Sequence, residues 1–170
     1  MILYHGSNLS IEKVDLEKCK PNKDFGKGFY LTDNKEQAKS IALRVSRIYG
    51  GNPVLNVYEI QDDFRTLAEL NIKDFGEETS KEWATFVMNN RNPHFEDAED
   101  SLCNSDFKYD IVIGCVADDN MAMLFRQYEN KMIDYETLLK GMIYKKTSSQ
   151  YSFHTEKAVA LLHKTGAENV

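Results

Sequence analysis

The segment from Asp24 to Thr32 constrains the fold of this chain more than any other. Its nine residues, Asp-Phe-Gly-Lys-Gly-Phe-Tyr-Leu-Thr, place two glycines directly before an apolar, aromatic stretch. Glycines let a loop turn sharply, and residues 28–32 are typical of a short strand. A dinucleotide fingerprint has three spaced glycines and opens a helix. This segment therefore argues against a doubly wound nucleotide-binding sheet and predicts a loop that leads into a strand.

Short strands and helices are predicted in irregular order along the rest of the chain. Apolar stretches typical of strands occur at 2–7, 53–60, 110–116 and 149–154. Helical spacing of apolar residues predicts helices after 33 and after 79, at 120–129 and 134–143, and from 155 to about 163. Strands and helices do not alternate regularly, and no linker rich in Gly, Pro or Ser divides the chain. The sequence therefore predicts one α+β domain over residues 1–170.

Three side chains are predicted to begin helices. Asp33 with Glu36 and Thr79 with Glu82 have the spacing of a capping box, and Thr155 precedes the last predicted helix. The acidic run at 96–100 predicts a solvated loop or a fraying helix.

Charge and composition exclude several classes of function. The net charge of -6 argues against a broad grip on duplex nucleic acid, which depends on many basic side chains. No apolar run approaches the roughly 18 residues that cross a bilayer, and the N-terminus does not resemble a signal peptide. The three cysteines are far apart and odd in number, so a disulfide framework is not expected. We expect a cytoplasmic protein with reduced thiols and no membrane partner.

Most conventional catalytic motifs are absent from the sequence. There is no Gly-x-Ser-x-Gly hydrolase elbow and no Gly-x-x-x-x-Gly-Lys-Thr phosphate loop. The four histidines show no metal-ligand spacing with each other or with cysteine, so no metal site is predicted.

Three short motifs remain, far apart in the chain. His5-Gly6-Ser7 ends the first predicted strand, Phe25 to Tyr30 leads into the second, and Gln150 opens the last. In these motifs the chain resembles the ADP-ribosyltransferase superfamily, in the branch of diphtheria toxin and the poly(ADP-ribose) polymerases. Those polymerases carry His-Gly-Ser/Thr, Phe-Gly-x-Gly-Ile-Tyr-Phe and, later, Glu-Tyr. The resemblance implies a split β-sheet core with peripheral helices.

A second resemblance covers nearly the whole chain. The sequence is similar to a small bacterial family of unknown function that shares Tyr-His-Gly-Ser, Asp-Phe-Gly-x-Gly-Phe-Tyr-x-Thr and a Gln-containing last strand. It also shares an Asn-Arg after a helix, here 90–91, and a Tyr-Asp-x-Val-x-Gly strand, here 109–114.

The resemblance implies NAD as co-substrate and assigns roles to residues of this chain. His5 would hydrogen-bond a ribose hydroxyl, Tyr30 would stack on nicotinamide, and Gln150 would complete the catalytic set. Gly6 would leave its backbone open to the nicotinamide amide. Lys27 and Arg91 are the candidates for the diphosphate. The predicted NAD-binding residues are Gly6, Ser7, Phe25, Gly26, Lys27, Gly28, Thr32 and Arg91.

Two departures from the superfamily pattern limit the expected activity. Gln150 replaces a glutamate and so loses the charge that offsets positive charge on the ribose. Charge-assisted hydrogen bonds are roughly twice as strong as neutral ones, and losing one contact to a transition state can cost about 3–4 kcal/mol. Ile41 lies where those families have a second tyrosine. Both changes favour transfer of a single ADP-ribose, or loss of activity, over polymer synthesis.

The sequence leaves three hypotheses. The first is an enzyme, a mono-ADP-ribosyltransferase that modifies a protein or a nucleic acid. It would act as the toxin of a toxin–antitoxin or phage-defence system, with an antitoxin as partner. The second is a module that binds NAD or ADP-ribose with weak or no catalysis. The third is an interaction protein with an empty cleft.

Overall fold

The computed structural model describes residues 1–91, 102–117, 119–142 and 148–170. Within them the chain has an α+β fold, a seven-stranded mixed sheet with five helices. The strands are β1 (Ile2–Ser7), β2 (Phe29–Thr32), β3 (Val54–Glu59), β4 (Ile72–Asp74), β5 (Ile111–Cys115), β6 (Ser149–Phe153) and β7 (His163–Asn169). The helices are α1 (Lys35–Tyr49), α2 (Lys81–Arg91), α3 (Asp119–Glu129), α4 (Tyr135–Met142) and α5 (Glu156–Val159).

The sheet has the order β4-β5-β6-β2-β1-β3-β7, with β4 and β5 parallel and all other neighbours antiparallel. Its weakest junction is in the middle. β2 pairs with β6 over four facing residues, from Phe29↔Phe153 to Thr32↔Gln150. β2 meets β1 only at Tyr4↔Thr32. The split core that was expected is therefore one sheet whose two parts are joined at a narrow junction between β1 and β2.

Two apolar cores lie on opposite faces of the sheet. The first core packs under α2, α3 and α4 and contains Phe25, Trp83, Phe86 and Val112. The second core lies on the other face, where alternate residues of β1, β2, β5 and β6 point. It includes Leu3, Phe29, Leu31, Ile111, Ile113, Tyr151 and Phe153.

The predicted strands at 2–7, 28–32, 53–60, 110–116 and 149–154 are confirmed within one or two residues. The helix caps needed correction in two places. Asn34, not Asp33, begins α1, since its side chain accepts from the Gln37 N–H at 3.1 Å. Asp33 instead accepts from the Tyr151 hydroxyl. Ser80, not Thr79, accepts from the Trp83 N–H at the start of α2.

The C-terminal segment differs most from the prediction. Thr155 does cap α5, accepting from the Ala158 N–H, but α5 ends at Val159 and does not reach residue 163. Residues 163–169 form the edge strand β7 on β3. Their sequence, His-Lys-Thr-Gly-Ala-Glu-Asn, is polar and mostly exposed, so pairing with β3 determines this strand more than its own side chains do.

The acidic run at 96–100, for which a solvated loop or a fraying helix was predicted, lies outside the described residues. Among the helices that are described, none is both long enough and apolar enough to cross a membrane.

Candidate functional site

The three predicted motifs lie on three neighbouring strands. His5 is on β1, Tyr30 is on β2, and Gln150 is on β6, on the far side of β2 from β1. Tyr30 faces Ser152 and Thr32 faces Gln150 across the β2–β6 pairing. Because facing residues share a side of the sheet, Tyr30 and Gln150 project from the same face.

His5 contacts β2 through its side chain. Its Nδ1 lies 2.7 Å from the Tyr30 carbonyl oxygen. A carbonyl only accepts, so Nδ1 carries the proton in this bond. The half-buried imidazole packs on Phe29, with ring centroids 4.5 Å apart. Burial lowers the pKa of His5 below its usual 6.5. The ring is therefore neutral at pH 7, and Nε2 is a hydrogen-bond acceptor.

This histidine contact occurs where β1 and β2 separate. The two strands meet at Tyr4 and Thr32. In regular pairing the carbonyl of Tyr30 would bond to a β1 backbone N–H. Here the His5 side chain donates to it instead. The junction thus combines a backbone opening with an imidazole acceptor at its edge.

The Tyr30 side chain is fixed by the glycine loop. Its hydroxyl donates to the Gly26 carbonyl at 2.8 Å and accepts from the Phe25 N–H at 2.9 Å. Burial, and secondarily the Asp24 charge, raises the pKa of Tyr30 well above its usual value. The residue is partly exposed and packs against the first core. His5 and Tyr30 are therefore joined through the β2 backbone, while their side chains lie toward different faces.

Local packing explains both glycines of the loop. Gly26 has a φ of +90°, a backbone conformation that residues with a side chain rarely adopt. A Cβ on Gly28 would lie 2.7 Å from the His154 ring and 2.9 Å from the Phe153 carbonyl. The buried His154 holds the loop by donating from Nδ1 to the Lys27 carbonyl at 2.8 Å. The predicted freedom of this loop is thus used to reach one tightly held conformation.

Gln150 belongs to a buried polar cluster around Asp24, which we call the Asp24 hub and which consists of Asp24, Arg91, Gln150 and the Ala117 N–H. Gln150 Nε2 donates to Asp24 Oδ2 at 2.8 Å and to the Cys115 carbonyl at 3.1 Å. Arg91 Nε donates to Asp24 Oδ1 at 2.7 Å. The Ala117 N–H donates to Oδ2 at 3.2 Å. The hub links the loop, α2 and β6.

The two basic candidates for a diphosphate are in unequal positions. Arg91 pairs with Asp24, whose side chain is only 9% exposed. Lys27 pairs at 3.0 Å with Glu17, whose side chain is 90% exposed. Exposed ion pairs contribute little, whereas breaking a buried pair is expensive. Lys27 is therefore the more available cation of the two.

Four other predicted binding residues are engaged in structural contacts. A Cβ on Gly6 would lie 2.0 Å from the Ala38 carbonyl, so α1 fills the space beside this glycine. Ser7 is buried opposite Val54 of β3. Thr32 accepts from the Asn34 N–H at the start of α1. Phe25 is fully buried in the first core. Their roles toward a ligand stay predictions.

Two buried residues were missed by the sequence reasoning as site residues, Asp24 and His154. Gln150 and Ser152 of β6 and His154, which directly follows this strand, are polar residues at alternate positions, and all three are buried. A polar face on an otherwise apolar strand is a signal that could have pointed to His154. Asp24 carried no such signal, since its two side-chain partners lie 67 and 126 residues away.

A cavity of about 250 Å³ lies away from these motifs, lined by residues that include Val14, Tyr58, Val159 and Leu162. None of the predicted site residues lines it. In the part of the chain that the structure describes, no group of three or more His, Cys, Asp or Glu side chains is placed to hold a metal ion.

Residues 1–163 match a family described as "Protein of unknown function (DUF3990)". The chain has no match among curated proteins and none among solved structures. The family match confirms the similarity to a family of unknown function over nearly the whole length. The resemblance to ADP-ribosyltransferases stays a prediction.

Proposed function

We propose that this chain, which belongs to the DUF3990 family, is an NAD-dependent mono-ADP-ribosyltransferase. NAD would bind across the opening between β1 and β2, in contact with His5 toward one face of the sheet and with Tyr30 and Gln150 toward the other. The transferred group would be a single ADP-ribose.

The observation that carries the proposal is the state of His5 at the β1–β2 junction. Its Nδ1–H donates a hydrogen bond to the Tyr30 carbonyl, and burial lowers the pKa of His5. This combination leaves Nε2 as a neutral acceptor at the edge of the opening. A ribose hydroxyl can donate to such a nitrogen, which is the role that the family resemblance gives to this histidine.

The other two central residues suit the same ligand. Tyr30 is held by two hydrogen bonds at its hydroxyl and is partly exposed as a residue, so it would offer an ordered aromatic surface for nicotinamide. Gln150 uses its amide nitrogen for Asp24 and Cys115. Its oxygen remains as the acceptor for a second ribose hydroxyl.

Lys27 is the first candidate for the diphosphate. Its ammonium is bound to the highly exposed Glu17, and an exposed pair of this kind is exchanged at little cost. Arg91 would have to leave a buried carboxylate. Arg91 therefore acts through the Asp24 hub.

The neutral Gln150 supports transfer of one group in preference to polymer synthesis, because no carboxylate at this position offsets positive charge on the ribose. The acceptor is a protein or a nucleic acid. By analogy with the ADP-ribosyltransferases that it resembles, the chain would act in the cytoplasm as the toxin of a toxin–antitoxin or phage-defence system. An antitoxin would hold it inactive.

The proposal is tested by incubating the purified chain with labelled NAD and a bacterial lysate. We expect labelled macromolecular product and free nicotinamide, both reduced at least tenfold in Tyr30→Ala. The role of Lys27 toward the diphosphate is tested in parallel with Lys27→Met. This variant should weaken NAD binding more than it lowers the rate of nicotinamide release. If neither labelled product nor nicotinamide forms with any lysate fraction, the transferase proposal is wrong.

One observation favours a second candidate, a module that binds NAD or ADP-ribose without turnover. The polar groups of the Asp24 hub are engaged with one another, and the side chain at 150 has no charge. Titration calorimetry separates the two functions, because the module would bind NAD and release no nicotinamide over hours.

A further inference from the structure

We infer that Asp24 is the positioning residue of Gln150 and holds the negative charge that a glutamate at position 150 would otherwise supply. The inference rests on the proposed function for what the positioned oxygen does. The positioning itself depends only on the contacts of the Asp24 hub.

The partners of Gln150 fix the orientation of its amide. Both groups within hydrogen-bond distance of Nε2, the Asp24 carboxylate and the Cys115 carbonyl, are acceptors. A flipped amide would bring its oxygen against two other oxygens. The nitrogen is therefore directed toward Asp24 and Cys115, and the oxygen is the acceptor that the proposed site would use.

Asp24 is held too firmly to follow a moving ligand. The residue is 7% exposed, and Gln150 is 8% exposed. Arg91 donates to one carboxylate oxygen, and the Ala117 N–H donates to the other together with Gln150. These three donors hold the buried carboxylate in one position.

This arrangement also explains why glutamine is suited to position 150. A glutamate there would place a carboxylate oxygen about where Nε2 lies, 2.8 Å from Asp24 and 3.1 Å from the Cys115 carbonyl. Two carboxyl groups at such a distance cannot both ionise without a large cost in free energy. The charge therefore resides on Asp24, and a hydrogen bond to it polarises the Gln150 amide so that the amide oxygen becomes a stronger acceptor.

The first arm of the test measures stability and needs no activity. Gln150→Glu should share a proton with Asp24 at about pH 5 and repel it at about pH 8. The folded-state pKa of the pair is raised, so stability is present at low pH and lost as pH rises. We expect the Tm of Gln150→Glu to be near that of the wild type at the lower pH, and on the order of 5 °C below it at the higher pH.

Two further variants make this arm specific. Gln61→Glu is the matched control, because the same change on an exposed side chain should show no such pH-dependent loss. In the double variant Asp24→Asn with Gln150→Glu, the difference in Tm between the lower and the higher pH should become smaller, because one of the two carboxylates is gone. A Gln150→Glu variant that is as stable as the wild type at about pH 8 overturns the positioning inference.

The second arm measures nicotinamide release from NAD. In Asp24→Asn we expect a rate at least tenfold lower with NAD affinity changed by less than about threefold, because an oriented acceptor acts on the reaction more than on binding. An unchanged rate in this variant contradicts the inference. If the wild type neither binds NAD nor releases nicotinamide, the proposed function fails, and the stability arm still decides the positioning of Gln150.

Discussion

The two sides of strand β2 are built differently. On the β6 side, four residues face their partners, and the Asp24 hub joins β6 to the glycine loop and to α2. On the β1 side, one pair of residues faces across the junction, and His5 binds the Tyr30 carbonyl. The β6 side is closed by buried, mutually bonded polar groups, while the β1 side keeps an acceptor and an opening.

This contrast separates the predicted residues that hold the fold together from those that are available to a ligand. In a buried polar network the paired groups give rigidity and are not available to an incoming molecule. Arg91 is part of such a network, whereas His5 and Lys27 keep a free atom or an exchangeable partner. The following variants test this contrast, from the largest expected effect on stability to the smallest.

Arg91→Met should have the largest effect. It leaves the Asp24 carboxylate buried without its cation, and removing one member of a buried pair costs about 3–5 kcal/mol. Urea denaturation measures the change. Lys27→Met is the control, since its partner is exposed, and its expected effect is below about 1 kcal/mol. Equal losses in the two variants would remove the distinction between the two sides of β2.

Acid should destabilise the β6 side through His154. Burial lowers the pKa of this histidine to about 4, against 6.5 for the ordinary group. Because the folded state disfavours protonation of His154, the free energy of unfolding should fall as the pH drops from 6.5 to 4. The contribution of this residue to that fall is roughly 3 kcal/mol.

His154→Asn checks the assignment, because asparagine keeps a donor for the Lys27 carbonyl and does not titrate. The stability advantage of the wild type over this variant should shrink as the pH falls through that window. An advantage that is constant from pH 6.5 to 4 would show that His154 does not contribute to acid sensitivity.

Gly6→Ala should disturb the β1 side by packing. The added Cβ would lie 2.0 Å from the Ala38 carbonyl and 2.6 Å from the Ala42 nitrogen, both backbone atoms of α1. Overpacking of this kind typically costs about 1–3 kcal/mol. Gly166→Ala, at a glycine with no atom within 4 Å of the added Cβ, is the control. Thermal unfolding of both variants measures the cost, and equal Tm values would contradict the close contact of α1 with β1.

His5→Phe should have the smallest effect on stability and a large effect on NAD. It removes one hydrogen bond to the Tyr30 carbonyl, about 1 kcal/mol. It also removes the Nε2 acceptor, so NAD binding should weaken at least tenfold. Because burial lowers the pKa of His5, wild-type binding should be constant from pH 8 to 6.5 and weaken below that range. NAD affinity that is equal in the two proteins would exclude His5 from the site.

Strands with apolar and aromatic residues were predictable from the sequence, and β1, β2 and β6 brought the three motifs side by side as a consequence. β7 was not predictable, because its polar residues become a strand through pairing with β3. The caps of α1 and α2 were misplaced by one residue, since two adjacent residues could each accept the first helical N–H.

The site was predictable only in its outline. Motif spacing indicated the loop and Tyr30, but the Asp24 hub depends on partners 67 and 126 residues away. Local sequence does not encode such contacts. For the same reason the sequence ranked Arg91 and Lys27 alike, although Arg91 pairs with a buried carboxylate and Lys27 pairs with an exposed one.

Titration of NAD into the purified chain by calorimetry tests the central claim most directly, namely that the opening between β1 and β2 binds NAD. We expect saturable binding by the wild type and at least tenfold weaker binding by His5→Phe, a variant with nearly unchanged stability. No saturable binding by the wild type at millimolar NAD, or binding of equal strength in His5→Phe, would contradict it.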